Sequence, residues 1–192
     1  DLAGLMCVAE QLLEDRVIDA IWIAPTSSDD IKKTYRRWFG RNDVTSSHTY
    51  IGAPLFAQLW AFDQLDTPLV LQCDVDILVG RREWGHDFLD DMCRAIEAPG
   101  VVSVGFNIPQ LKPDVKPYIG RPGEYPPEVR CALLHIPRMR ATCPLPNRVV
   151  EGRFELMWHR CVHQSQSSAA SRSLRGGDSR TYYLHPSNVD KH

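Results

Sequence analysis

Long apolar runs are what this 192-residue sequence most plainly lacks. No stretch approaches the ~20 consecutive apolar residues of a transmembrane helix, and no basic-then-apolar segment opens the chain as a secretory leader would. An excess of either charge is missing too: 22 Lys and Arg stand against 24 Asp and Glu, a formal net charge of -2. That balance argues against nucleic acid or an anionic membrane surface as a general partner, so any basic site has to be local. Close cysteine pairs are absent. Cys7, Cys73, Cys93, Cys131, Cys143 and Cys161 are scattered with no C-x-x-C, several of them in apolar runs, which fits reduced, buried thiols in a cytoplasmic protein better than a disulfide framework. Internal repeats are absent as well. No strand precedes the first helical stretch and the chain opens at Asp1 rather than Met, so the expectation is a piece of a longer sequence that lacks an N-terminal strand.

What is present suits one domain with a sizeable core. Leu2, Leu5, Met6, Ala9, Leu12 and Leu13 recur at helical spacing, and "VIDAIWIA" (17–24) reads as a buried strand. "PTSSDD" is loop chemistry ahead of a basic helix, "IKKTYRRWF". A Gly-Ala-Pro at 52–54 opens a third helix, since proline is tolerated in a first turn. "TPLVLQC" is then a strand, "DFLDDMCRAIE" a helix with Phe88, Leu89, Met92, Cys93 and Ile96 on one face, and "VVSVGF" (101–106) another strand. This alternation predicts an α/β fold with a mostly parallel sheet covered by helices. Prolines 109, 113, 117, 122, 126 and 127 make the following segment irregular. "VRCALLHI" reads as a strand, "GRFELMWHRCVH" as a helix, "QSQSSAASRSLRGGDSR" as a polar loop and "TYYL" as a last strand.

One stretch asks for chemistry. "LVLQCDVDILVG" (69–80) sets Asp74 and Asp76 at the end of an apolar strand. In an extended chain, residues two apart face the same side, so both carboxylates can meet one ligand while Val75 points away. Carboxylates held that close repel unless a cation or a proton sits between them, and oxygen ligands suit Mg²⁺ or Mn²⁺. In α/β sheets ligands gather at the carboxyl ends of strands, where this pair falls.

Here the chain resembles the GT-A glycosyltransferases of the family 2 type, in which a D-x-D at a strand end of a Rossmann-like sheet holds a divalent cation on the diphosphate of a nucleotide sugar. "CDVDILVG" carries the motif, preceded by a helix that opens at Gly-Ala-Pro and runs into "LDTPLVLQCDVD"; "APTSSDD" and "RGGDSRTYYLHPSN" stand where the family has nucleoside contacts and a late metal ligand. The resemblance implies a single GT-A domain over 1–192, with a nucleotide-binding part at 1–106 and an acceptor and sugar part at 107–192. It implies Mn²⁺ or Mg²⁺ on Asp74 and Asp76 with His185 as third ligand, and a nucleotide-diphosphate sugar donor with an unknown acceptor. Asp29 and Asp30 are then expected at the nucleoside, Arg175 and Arg180 at the phosphates, the sugar near 107–125, and Asp178 as the base that deprotonates the acceptor.

Two other functions compete. Haloacid-dehalogenase-like phosphatases also end a strand in D-x-D, with the first aspartate as nucleophile, here Asp74. Against them, their motif lies in the first strand, whereas a strand and two helices are expected before this one, and Leu78 stands where they carry threonine or valine. A non-catalytic nucleotide-sugar binding domain would share the site without the turnover.

Overall fold

The computed structural model of the chain describes residues 2–106, 116–178 and 180–185. Three helices come first: α1 (Leu2–Glu14), α2 (Ser28–Phe39) and α3 (Phe56–Gln64). α2 starts where Ser27 Oγ accepts the Asp30 N–H at 3.1 Å and stops at Gly40, whose φ of 66° lets its own N–H turn back onto the Arg36 carbonyl. Its buried face carries Ile31, Tyr35, Trp38 and Phe39. Tyr35 meets Phe56 and Phe154 edge to face, and Trp158 does the same to Phe62. With Leu55, Leu59, Val102 and Leu134 these rings form one hydrophobic core, each large side chain contributing roughly 1.5–3 kcal/mol by its burial.

After α3 come β1 (Leu69–Cys73), β2 (Leu78–Arg81), α4 (Phe88–Ile96), β3 (Val101–Phe106), β4 (Lys116–Ile119) and β5 (Cys131–His135). α5 (Ile136–Arg140), β6 (Val149–Val150), β7 (Arg153–Phe154), α6 (Trp158–Gln166), β8 (Arg172–Gly177) and β9 (Thr181–Leu184) complete the order. Asp87 caps α4 by accepting from the Leu89 and Asp90 N–H groups. The helix lays Phe88, Met92 and Ile96 on a second core, against Val101, Val104, Phe106 and Leu174. Alternation along β5 divides the layers: Ala132 and Leu134 face the first core, Cys131 and Leu133 the second.

The main sheet has the order β1-β5-β3-β8-β4, and β2 pairs β9 in a separate two-stranded ribbon. The expected mostly parallel sheet is corrected: of the four pairings only β3 with β8 is parallel. The reason is twofold: β5 enters between β1 and β3 and runs against both, and β4 closes the other edge against β8. β1, β3 and β8 therefore still point the same way, and their carboxyl ends lie at one end of the sheet.

Two further expectations fail. The 17–24 run forms no strand, and Val17, Trp22 and Ile23 remain 66%, 51% and 70% exposed. β-Branched composition alone does not make a strand without a neighbour to pair with. Conversely, the polar stretch expected to be a loop contains β8, the inner neighbour of β3. Its glycines serve packing: a Cβ on Gly176 would collide with the carbonyl of Pro117, so the small residue lets β4 lie close against β8.

Candidate metal centre

Asp74 leaves β1 and its N–H still donates across the ladder to the Arg130 carbonyl at 2.8 Å. The chain then turns, the Ile77 N–H reaching back to the Asp74 carbonyl at 3.4 Å. The expectation that Asp74 and Asp76 converge because they alternate along an extended strand is thus corrected. A turn brings them together, with Val75 fully exposed at its tip and Ile77 packed on the second core. Beyond the turn β2 abandons the main sheet for β9, in the register Leu78 to Leu184. That register sets His185 beside the turn, its Nε2 3.4 Å from Asp76 Oδ1. Asp74, Asp76 and His185 each offer one ligand atom within 4.8 Å of the others, all three side chains half-buried. Two carboxylates and an imidazole brought this close form a donor set compatible with a divalent cation.

A second group of this composition lies at the far end of the same ribbon. His86 is 7% exposed and its Nδ1 sits 2.8 Å from Thr181 Oγ1. Its Nε2 lies 2.7 Å from Asp91 Oδ2 and 3.8 Å from Asp178 Oδ2. Arg94 binds Asp91 at 2.6 Å, and Arg180 holds Asp178 through both its Nε at 2.8 Å and its Nη2. This cluster is also compatible with a divalent cation, but two arginines already balance its two acids. Four residues separate Thr181 from His185, roughly 13 Å of strand, so Asp178 does not join Asp74 and Asp76. Hydrogen bonds from Arg180 hold its carboxyl below the ordinary carboxylate range. That geometry gives no support to Asp178 as an acceptor base, which needs free access and appreciable basicity.

The expected phosphate ligands are engaged elsewhere. Arg180 serves Asp178 and lies 3.6 Å from Glu83. Arg175 is buried against Glu128, its Nη2 donating to the Pro126 carbonyl at 3.1 Å and its Nη1 to that of Phe106 at 3.4 Å. Burial pushes its guanidinium pKa down. Asp29 and Asp30 sit in the first turn of α2. There the Asp30 carboxylate accepts from the Ser27 hydroxyl at 2.5 Å, and Asp29 is 4.0 Å from Lys32. Both have local capping or surface roles, with Asp30 also at the rim of a cavity of about 240 Å³ beside Arg37, Trp60 and Asp63. Of the 107–125 segment expected to seat a sugar, 107–115 lies outside the described residues. Tyr118, Arg121 and Glu124 border a cavity of about 730 Å³ shared with Arg94 and Arg172. Arg172 begins β8 and Gly177 ends it, so that cavity opens at the opposite end of the strand from the carboxyl-end sites.

Sequence reasoning missed Glu128, whose role is to connect. Its Oε1 accepts from the Val129 and Arg130 N–H groups at 3.0 and 3.1 Å, while its Oε2 takes Arg175. Arg130 in turn receives the Asp74 N–H. The Asp74–Ile77 turn is thereby tied through one buried ion pair to β8. An acid directly after a Pro-Pro and before a β-strand was the only signal. No helix among the described residues is long and apolar enough to cross a membrane. No family model, curated protein or solved structure matches this chain.

Proposed function

We propose that the chain is a metal-dependent glycosyltransferase domain of GT-A type, with Asp74, Asp76 and His185 as the ligands of Mn²⁺ or Mg²⁺ on the diphosphate of a nucleotide sugar. The observation that carries this reading is the convergence of those three side chains at the carboxyl end of β1, the end that β3 and β8 share. A divalent cation held there supplies neutralisation of the charge that develops on the departing diphosphate. The chain's own contribution is to fix the two carboxylates on a turn hydrogen-bonded at both its ends and to aim the imidazole at them from a paired strand. Half-burial of all three side chains removes part of the water that would compete for them.

The test is calorimetric. UDP, GDP and their sugars are titrated into the chain with and without Mn²⁺, and into the Asp74→Ala, Asp76→Ala double variant. Binding that needs both the cation and the aspartates supports the reading. A folded chain that binds none of them with Mn²⁺ present overturns it, and phosphatase turnover through Asp74 would then be assayed in its place.

A further inference from the structure

Directly before the metal turn, Cys73 faces Cys131 across the β1–β5 ladder. The hydrogen bond from Asp74 N–H to the Arg130 carbonyl marks 74–130 as a hydrogen-bonded position. The adjacent 73–131 position is then a non-hydrogen-bonded one, where antiparallel Cα atoms approach to ~4.5 Å. That separation falls inside the ~4.4–6.8 Å a disulfide spans. The two sulfurs are already 3.8 Å apart, so side-chain rotation is enough to bring them to the ~2.0 Å of a bond without moving the strands. Exposure differs between the partners: Cys73 is exposed on the edge strand and Cys131 is wholly buried. The remaining thiols offer no such pairing. Cys143 and Cys161 sit 3.9 Å from backbone carbonyls, and Cys7 and Cys93 lie on α1 and α4.

We propose that Cys73 and Cys131 form a redox-active thiol pair, with Cys73 the thiol a hydroperoxide attacks and Cys131 the thiol that resolves the product into a disulfide. In the first step the Cys73 sulfur displaces hydroxide from hydrogen peroxide: an S–O bond forms, the O–O bond breaks, and the sulfur loses two electrons to the peroxide. In the second the Cys131 sulfur attacks that sulfenic sulfur, forming S–S and breaking S–O with loss of hydroxide. The two thiol protons and the two hydroxides leave as two waters. A small dithiol reduces the disulfide by exchange at the exposed Cys73 sulfur, restoring both thiols and leaving as its own cyclic disulfide. Because Asp74 follows Cys73 directly, closure staples the strand end that leads into the metal turn.

The test is a thiol map of the whole chain, and it needs neither cation nor nucleotide, so it stands or falls apart from the transferase reading. The native protein is treated with a few-fold excess of hydrogen peroxide, unfolded, alkylated and cut with trypsin. Expected are the loss of two of the six thiols and a disulfide joining the tryptic peptides 42–81 and 131–138, each of which holds a single cysteine. Dithiothreitol restores both. Cys131→Ser is expected to trap Cys73 as a sulfenic acid that dimedone labels. Cys73→Ser, an exposed change that leaves the core alone, is expected to keep Cys131 alkylatable at unchanged yield. Peroxide-treated native protein in which both peptides carry the alkyl label overturns the proposal, as does a disulfide that joins any other pair.

Discussion

Replacing Glu128 by Gln keeps the shape of the side chain and removes its charge. The native side chains are 8% exposed for Glu128 and 13% for Arg175. A neutral amide leaves the guanidinium buried without its counter-charge and turns an N–H₂ group towards its donors. The Oε1 bonds to Val129 and Arg130 survive the exchange, so the loss isolates the ion pair. Breaking a buried pair from one side costs roughly 3–5 kcal/mol, most of it the uncompensated charge. For a domain of this size each kcal/mol moves the midpoint by roughly 2–4 °C, which places the expected fall in Tm between ~6 and ~20 °C. Urea unfolding followed by tryptophan fluorescence gives the free energy directly, and an unchanged m-value checks that the unfolded state is the same. The Glu128→Gln, Arg175→Met double variant is expected to recover part of the loss, because it removes the uncompensated buried charge and keeps the Oε1 acceptor for the Val129 and Arg130 N–H groups. A Glu128→Gln protein within ~1 kcal/mol of the parent would refute the assignment of this pair as a buried tie between β8 and the segment leading into β5.

His185→Ala removes one of three candidate ligands and is expected to weaken Mn²⁺ binding by at least ~10-fold in calorimetry, since even outer-shell changes cost 10–100-fold; unchanged affinity would take His185 out of the site. His159 takes up its proton at lower pH than a surface histidine. Burial, with Arg160 and His163 nearby, pushes its pKa down to about 4, and its Nδ1 is buried with no partner among the described residues. Its folded pKa lies below the unfolded value of ~6.5, so the unfolded chain takes up the proton first and stability falls as pH drops from about 6.5 towards 4, by roughly 3 kcal/mol. His159→Phe is expected to flatten that part of the stability profile measured by urea unfolding between pH 7 and 4, and an identical slope in the variant would refute it.

The elements legible in the sequence are those whose signal is local. α2 has its cap residue, its amphipathic face and its terminal glycine within fourteen consecutive positions, 27–40; β1, β3 and β5 are apolar runs of strand length. The failures are those decided by a partner far along the chain. The 17–24 run has strand composition, yet no strand lies beside it among the described residues; β8 has the composition of a loop and becomes a strand because β3 and β4 flank it. The direction of β5 is of the same kind, for nothing in its five residues tells which way it enters a sheet. At the candidate site, Asp74 and Asp76 were nameable from residue type and spacing, and His185 only from the resemblance. Their neighbours were not, since Arg175 and Arg180 have partners, Glu128 and Asp178, that only the folded chain identifies.

The turn at Asp74 shows how such distant pairings converge on one short segment. Four residues, Asp74 to Ile77, must leave the main sheet, present two carboxylates and enter a different ribbon. Left to itself a turn this exposed would fluctuate, for Val75 contributes no burial and two adjacent acids repel. Three constraints act on it from outside. The Asp74 N–H is fixed by Arg130, whose own backbone is held by Glu128 and, through it, by Arg175 in β8. Ile77 is packed on the second core. The β2–β9 ladder then delivers His185 beside Asp76. With those constraints in place the repulsion between Asp74 and Asp76 is not relaxed by movement of the chain, and a divalent cation, as proposed, would relieve it. Loosening any one of the three is expected to lower cation affinity before it unfolds the protein, because the turn depends on all of them and the cores on only one.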